Sequence, residues 1–238
     1  MIKITNTEVV GWEPTIRGMR NPMNSWDKSD SDWEFVEDPS IINPNDEVKF
    51  VLGENDADLM RRLCNGGPVH AKFRRMIAVY VDIEAPLYWW KEYDTYKVGT
   101  VANSCSTMHK IHAKEFTLDD FSHEHLRCGE DGIQTKCEDC GMFTTINPTD
   151  LLRLTVDTLN HYRGLYLLSN DKDYWWQMIQ LLPTSYNQKR TLMLNYEVLV
   201  NIYHSRKHHK LDEWHRVCEW IESLPYSWLI TGKEEENA

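Results

Sequence analysis

The stretch from Arg75 to Glu84, RMIAVYVDIE, constrains the fold more than any other part of the chain. Ile77, Val79, Val81 and Ile83 alternate with their neighbours, so that one face of the segment is apolar throughout. A period of two belongs to a half-buried strand, whereas the apolar positions of a helix recur every three or four residues. The segment is therefore expected to pair within a sheet. Ala85-Pro86 then opens a helix expected to run through Lys97, since proline is tolerated in a first turn that has no intrahelical N–H bond to lose. Its Trp89, Trp90, Tyr93 and Tyr96 suit core and interface filling better than base stacking.

Other segments carry helix signals. From Asn55, NDADLMRRLCNGG starts acidic, places Leu59, Met60 and Leu63 on one face and ends before Gly66. Residues 149–168 and 171–182 repeat that pattern, and Pro183 closes the second. Two further helices are expected over 188–204 and 211–224. The first fifty residues read as a short strand at 8–12, a helical turn at 16–20 and then a long polar loop. Together these describe a single domain over 1–238, with residues 110–148 as an inserted polar excursion.

The chain has 238 residues and a formal charge of −11, which argues against a general nucleic-acid binder, because such proteins attach through broad basic faces. A mononucleotide needs only a local basic pocket, and Lys189, Arg190, Arg206, Lys207 and Lys210 are candidates for one. The same residues also suit a solvated cationic helix end. No apolar run reaches membrane-spanning length. The start MIKITNTEVV has no basic segment followed by an apolar stretch, so a reducing, cytoplasmic setting is expected and the cysteines are thiols or metal ligands.

The excursion carries HLRCGEDGIQTKCEDCG. Cys137 and Cys140 have Cys-x-x-Cys spacing before Gly141, and Cys128 and His125 lie upstream, a set able to enclose one tetrahedral zinc ion. Ordinary reduced thiols and a redox pair remain alternative readings, and His123 competes with His125 as fourth ligand. As a zinc site it would be structural, stapling a segment poor in apolar residues. After the aromatic helix, GTVANSCSTMH places Asn103, Ser104, Cys105 and Ser106 where hydroxyls and amides can meet an anion, or form a polar turn without a ligand. Cys105 or Ser106 as a nucleophile with His109 as base rests on proximity in sequence alone.

These residues resemble, in order and over most of the chain apart from the excursion, the flavin-dependent thymidylate synthase family. Ala85-Pro86 matches the start of that family's motif helix, Asn103 and Ser106 match its Asn-Glu-x-Ser-x-Arg loop, and Leu182-Pro183 matches a later element. Asn195, Asn201 and Arg206 match the spacing of its Asn-x-Arg helix, and Arg17 and Arg20 resemble basic residues near the flavin. The resemblance implies an α/β fold with a central antiparallel sheet flanked by helices, and a homotetramer with active sites between subunits. It further implies FAD as hydride carrier, methylenetetrahydrofolate as carbon source and dUMP as substrate. On this mapping Lys97, Asn103, Asn195 and Asn201 bind the cofactor, Glu92, Ser104, Ser106 and Arg206 bind the pyrimidine mononucleotide, and Ser106 is the catalytic position.

The sequence also departs from that pattern. Glu92 stands for the family's Gln, Thr95, Tyr96 and Lys97 for its Arg-His-Arg, Ser104 for the loop Glu and Met108 for the Arg after the loop Ser. Arg75 and Met76 replace a Glu-His pair, and Ile179-Gln180 stand near a missing Arg. Losing a cation where charge develops on a carbonyl oxygen costs about 3–4 kcal/mol of transition-state stabilisation. The expectation is therefore either an altered substrate or a binding protein that has lost the chemistry.

Overall fold

The computed structural model of the chain describes residues 1–35, 48–129, 132–136, 138 and 141–233. In chain order the elements begin with β1 (Lys3–Val10), α1 (Trp12–Arg20), β2 (Asp32–Phe35), β3 (Val48–Val51), α2 (Glu54–Asn65) and β4 (Ala78–Pro86). There follow α3 (Leu87–Tyr93), β5 (Val101–Ser104), α4 (Thr107–Lys110), β6 (Ile133–Lys136), β7 (Phe143–Ile146) and α5 (Pro148–Ser169). The chain closes with α6 (Lys172–Leu181), β8 (Asn187–Asn195), α7 (Tyr196–Arg206), α8 (Asp212–Glu222) and α9 (Trp228–Thr231). One sheet has the order β1-β4-β8-β5, while β2–β3 and β6–β7 are antiparallel pairs. The architecture is a mixed one of helices flanking an antiparallel sheet, as expected. No described helix is long and apolar enough to cross a membrane.

The alternating strand is present as β4, with Ile77, Val79, Val81 and Ile83 all buried. Two other expectations are corrected. The helix expected to reach Lys97 stops at Tyr93, because the Glu92 carbonyl accepts from both the Thr95 amide, at 3.1 Å, and the Thr95 hydroxyl, at 2.8 Å. The segment 188–204 is a strand followed by a helix. In β8, Gln188, Leu192 and Leu194 are buried while Lys189 and Thr191 are exposed, the pleated alternation of a strand. At Asn195 the backbone is extended, and its side-chain oxygen accepts the Val198 amide at 3.1 Å, so the helix begins there with an N-cap.

The residues divide into two compact units. The first comprises residues 1–5, 82–95 and 102–191. Its core packs Ile111, Phe116 and Phe121 against Leu152, Val156 and Leu159 of α5 and Met178 of α6. Thus the start of the 110–148 segment supplies apolar side chains to a core, and its later part forms the exposed β6–β7 pair. Asn160 fastens this region by accepting the Phe116 amide and donating to the Phe116 carbonyl, each at 2.8 Å.

The second unit comprises residues 6–81, 96–101 and 192–238. Trp12 centres its aromatic core, lying parallel to Phe50 at 5.7 Å and edge-on to Tyr196 and Tyr226 at 5.6 and 5.2 Å. The Tyr226 hydroxyl donates to the Phe50 carbonyl and accepts the Leu52 amide, which ties β3 to the C-terminal helices. Gly11 precedes α1 at φ +97°, and a Cβ there would stand 2.4 Å from the Met76 carbonyl oxygen, so only glycine fits this approach.

Candidate functional site

In the first unit, the candidate loop is held by backbone bonding. The Cys105 amide donates to the Lys189 carbonyl at 2.9 Å, and the Gln188 side-chain amide donates to the Cys105 carbonyl at 2.8 Å. Asn103 and Ser104 are exposed at the end of β5. The Ser106 hydroxyl accepts the His109 amide at 3.0 Å, capping α4, so its bond is to the His109 backbone and not to the imidazole. Glu92 is half-buried near the end of α3.

Beside this loop lies a cluster that the sequence mapping did not assign. The Arg190 guanidinium sits 4.2 Å from the centre of the Trp90 ring. It donates from Nη1 to Asp94 Oδ1 and from Nε to Gln188 Oε1, both at 3.0 Å. Trp90 in turn donates from its indole to the Gln188 carbonyl at 2.8 Å. This stacked and forked geometry presets the guanidinium plane, which lysine cannot do. Burial pushes the Tyr93 phenol well above its ordinary value, partly offset by Arg190. Lys189 is directed elsewhere, to Asp82 at 2.8 Å. The sequence offered Lys189 and Arg190 together as pocket cations on an expected helix; on the observed strand, adjacent residues face opposite sides.

In the second unit, Arg206 at the end of α7 donates from Nε to the Tyr96 hydroxyl at 2.8 Å. Its guanidinium lies 4.6 Å from the Trp214 ring centre and 5.5 Å from that of Tyr96. Two rings and one hydroxyl thus fix the direction of a half-buried cation. Asn195 caps α7 and lies beside Gly99, where a Cβ would be 3.3 Å from Asn195 Nδ2. Asn201 is exposed on α7, and Lys97 is exposed on the turn after Tyr96.

For a dinucleotide cofactor, Lys97, Asn195 and Asn201 of the second unit offer one cation and two amides. The donor set fits a polar ring edge and a single phosphate charge. It is poorer in cations than an Arg-His-Arg set, because Thr95 and Tyr96 are uncharged and only Lys97 carries a charge.

Arg20 belongs to neither group. It is buried in an ion pair with Asp56, and its remaining nitrogens donate to the Ser25 and Lys28 carbonyls at 3.1 and 3.0 Å, so its role is to hold a loop. Of the four cysteine-cluster residues, His125 and Cys128 are exposed, and Cys137 and Cys140 lie outside the described residues. Among the described residues no group of three or more His, Cys, Asp or Glu side chains is arranged to hold a metal ion. Cys128 lines a cleft of about 320 Å³ with Leu126, Arg127, Asn147 and Pro148.

No family model matches the chain, and no curated protein matches it in sequence. Solved structures do match it in shape. A crystal structure of thymidylate synthase X (ThyX) from Helicobacter pylori with FAD and dUMP superposes with a TM-score of 0.61 at 13% identity, covering 97% of each chain. A second structure, of the flavin-dependent thymidylate synthase ThyX from Helicobacter pylori complexed with FAD and dUMP, gives 0.60 at 13% identity, covering 97% of this chain and 98% of that one. The chain therefore shares the fold of these flavin-dependent thymidylate synthase structures over nearly its whole length.

Proposed function

We propose that the protein binds a pyrimidine mononucleotide such as dUMP, with FAD as its cofactor, on a flavin-dependent thymidylate synthase scaffold. The observation that carries this reading is Arg206, whose guanidinium is aimed by the Tyr96 hydroxyl and the Trp214 ring. A cation oriented before the ligand arrives loses little freedom on binding a phosphate. In the first unit Glu92, Ser104 and Ser106 are proposed as nucleotide-binding residues and Asn103 as a flavin-binding one; in the second unit Arg206 is proposed for the nucleotide and Lys97, Asn195 and Asn201 for the flavin. Bound flavin would supply hydride transfer. The protein's own groups orient the pyrimidine and hold its phosphate. Fold similarity to proteins whose structures contain FAD and dUMP supports the ligand classes. As in the family it resembles, the chain is proposed to act as a homotetramer, with a folate as carbon donor.

A second reading, a nucleotide-binding module without catalysis, is favoured by a specific observation. The position matching the family's ring-polarising arginine is Met108, whose side chain is exposed and whose carbonyl accepts the Trp175 indole N–H at 3.2 Å. A thioether offers no cation to a developing oxyanion. The two readings separate on dUMP-dependent reoxidation of reduced flavin in the presence of methylenetetrahydrofolate. Turnover supports the enzyme, and nucleotide binding without turnover supports the module.

We also propose that Cys128, Cys137, Cys140 and His125 hold a structural zinc ion. Cys137→Ser should then lower zinc content and melting temperature together; if neither changes, the staple is wrong.

A further inference from the structure

We propose that a cleft in the second unit, between α1, the loop at 25–31 and β3, binds a small planar heteroaromatic ring carrying one acid group. The cleft measures about 280 Å³ and is lined by Glu13, Ile16, Arg17, Arg20, Trp26, Ser29, Ser31 and Phe50. The resemblance sets Arg17 and Arg20 near the flavin, but the contacts proposed above for nucleotide and flavin use neither residue, so the proposal does not rest on that reading.

The walls are built in advance. Asp56 Oδ2 accepts the hydroxyls of Ser29 and Ser31 at 2.8 and 2.7 Å and the amides of Asp30 and Ser31 at 3.1 and 3.2 Å. Arg20 ties the same loop through the Ser25 and Lys28 carbonyls. Trp26 is half exposed, and its indole N–H donates to Asn21 Oδ1 at 2.8 Å, which sets its ring plane. On β3, Phe50 is buried, parallel to Trp12 and edge-on to Trp33 at 5.3 Å. A flat apolar ligand thus meets fixed aromatic and aliphatic surfaces with little ordering left to do.

The charges define the rest of the ligand. Asp56 neutralises Arg20, so the cleft's own charges are the exposed Arg17 and Glu13. Among the described residues Arg17 has no ion-pair or hydrogen-bond partner. Glu13 Oε1 accepts the Trp33 indole N–H at 2.9 Å, which holds this carboxylate at the cleft edge. One cation and one carboxylate call for an acid group directed to Arg17 and a ring N–H directed to Glu13. A multiply charged anion is disfavoured by Glu13 and by a chain of net charge −11. The volume suits a small ring, since it lies at the lower end of the range of about 300–1,000 Å³ that drug-sized ligands occupy.

Orotate, a pyrimidine monocarboxylate with ring N–H groups, is the probe, and uracil its neutral control. Calorimetric titration of the full chain should show saturable orotate binding that Arg17→Ala weakens at least tenfold and Trp26→Leu at least fivefold. Uracil should bind at least tenfold more weakly than orotate. Arg206→Ala should leave orotate affinity unchanged, so that failure of this site and failure of the nucleotide reading are distinguishable. Arg17 is exposed on α1, and its variant should keep the wild-type melting temperature; should Trp26→Leu unfold, the Arg17 variant decides alone. No saturable orotate binding, equal affinity in Arg17→Ala, or a loss confined to Arg206→Ala would each overturn the proposal.

Discussion

Arg20 Nε lies 2.6 Å from Asp56 Oδ1, and the two side chains are 4% and 0% exposed. Thirty-six residues apart in sequence, they join the end of α1 to the first turn of α2 and gather the 25–31 loop around one carboxylate. Removing one member of such a pair strands a buried charge, which costs about 3–5 kcal/mol. Asp56→Ala is therefore expected to lower the urea midpoint by that equivalent. A loss below about 1 kcal/mol would show that the pair is not the fastener of this unit.

The same carboxylate sets a pH dependence. Burial acts to raise the Asp56 pKa, but hydrogen bonds from Ser31, Ser29, Arg20 and the Asp30 amide outweigh it and hold the group below its ordinary 3.8. A folded pKa below the unfolded one stabilises the protein above pH 3.8, and that contribution is lost as pH falls through the folded value. Denaturant midpoints of wild type and Asp56→Asn should keep a constant separation from about pH 7 to 5 and converge below 3.8. A gap that widens in acid contradicts the assignment.

Periodicity carried much of the fold and little of the site. The alternation of Ile77, Val79, Val81 and Ile83 identified β4 because four consecutive inward positions leave no helical alternative. In β8 only Leu192 and Leu194 mark the inward face, and the run merges into the apolar residues of α7, so strand and helix read as one helix. Asn195, Asn201 and Arg206 were singled out by the family resemblance, and the structure puts Asn195 at the end of β8 as the cap of α7, with Asn201 and Arg206 on that helix. The Arg190–Asp94 pair was not, since it joins residues 96 apart and neither has a local pattern that names its partner.

For Arg206 the expected consequence is functional. Arg206→Ala should weaken dUMP binding at least tenfold, about 1.4 kcal/mol. Tyr96→Phe removes a single orienting hydrogen bond and should cost about 1 kcal/mol or less. Equal affinity of wild type and Arg206→Ala in a direct titration would remove this residue from the site.

Gly99 tests the turn after Tyr96. It holds φ +79°, and an added Cβ would press within 3.3 Å of Asn195 Nδ2 and 3.4 Å of Val198 Cγ2. Gly99→Ala should destabilise by roughly 1–2 kcal/mol from backbone strain. It should also weaken FAD binding through the displaced Asn195 cap. Thermal melts with and without FAD separate the two effects, and a variant as stable and as flavin-competent as wild type would contradict both.

The most direct measurement is the visible absorbance of the purified protein reconstituted with FAD, before and after dUMP is added. The isoalloxazine spectrum responds to the polarity and hydrogen bonding of its surroundings. The account predicts flavin retained through desalting, with absorption bands that shift on adding dUMP and do not shift in Arg206→Ala. A protein that emerges colourless, or a bound flavin indifferent to dUMP, would contradict it.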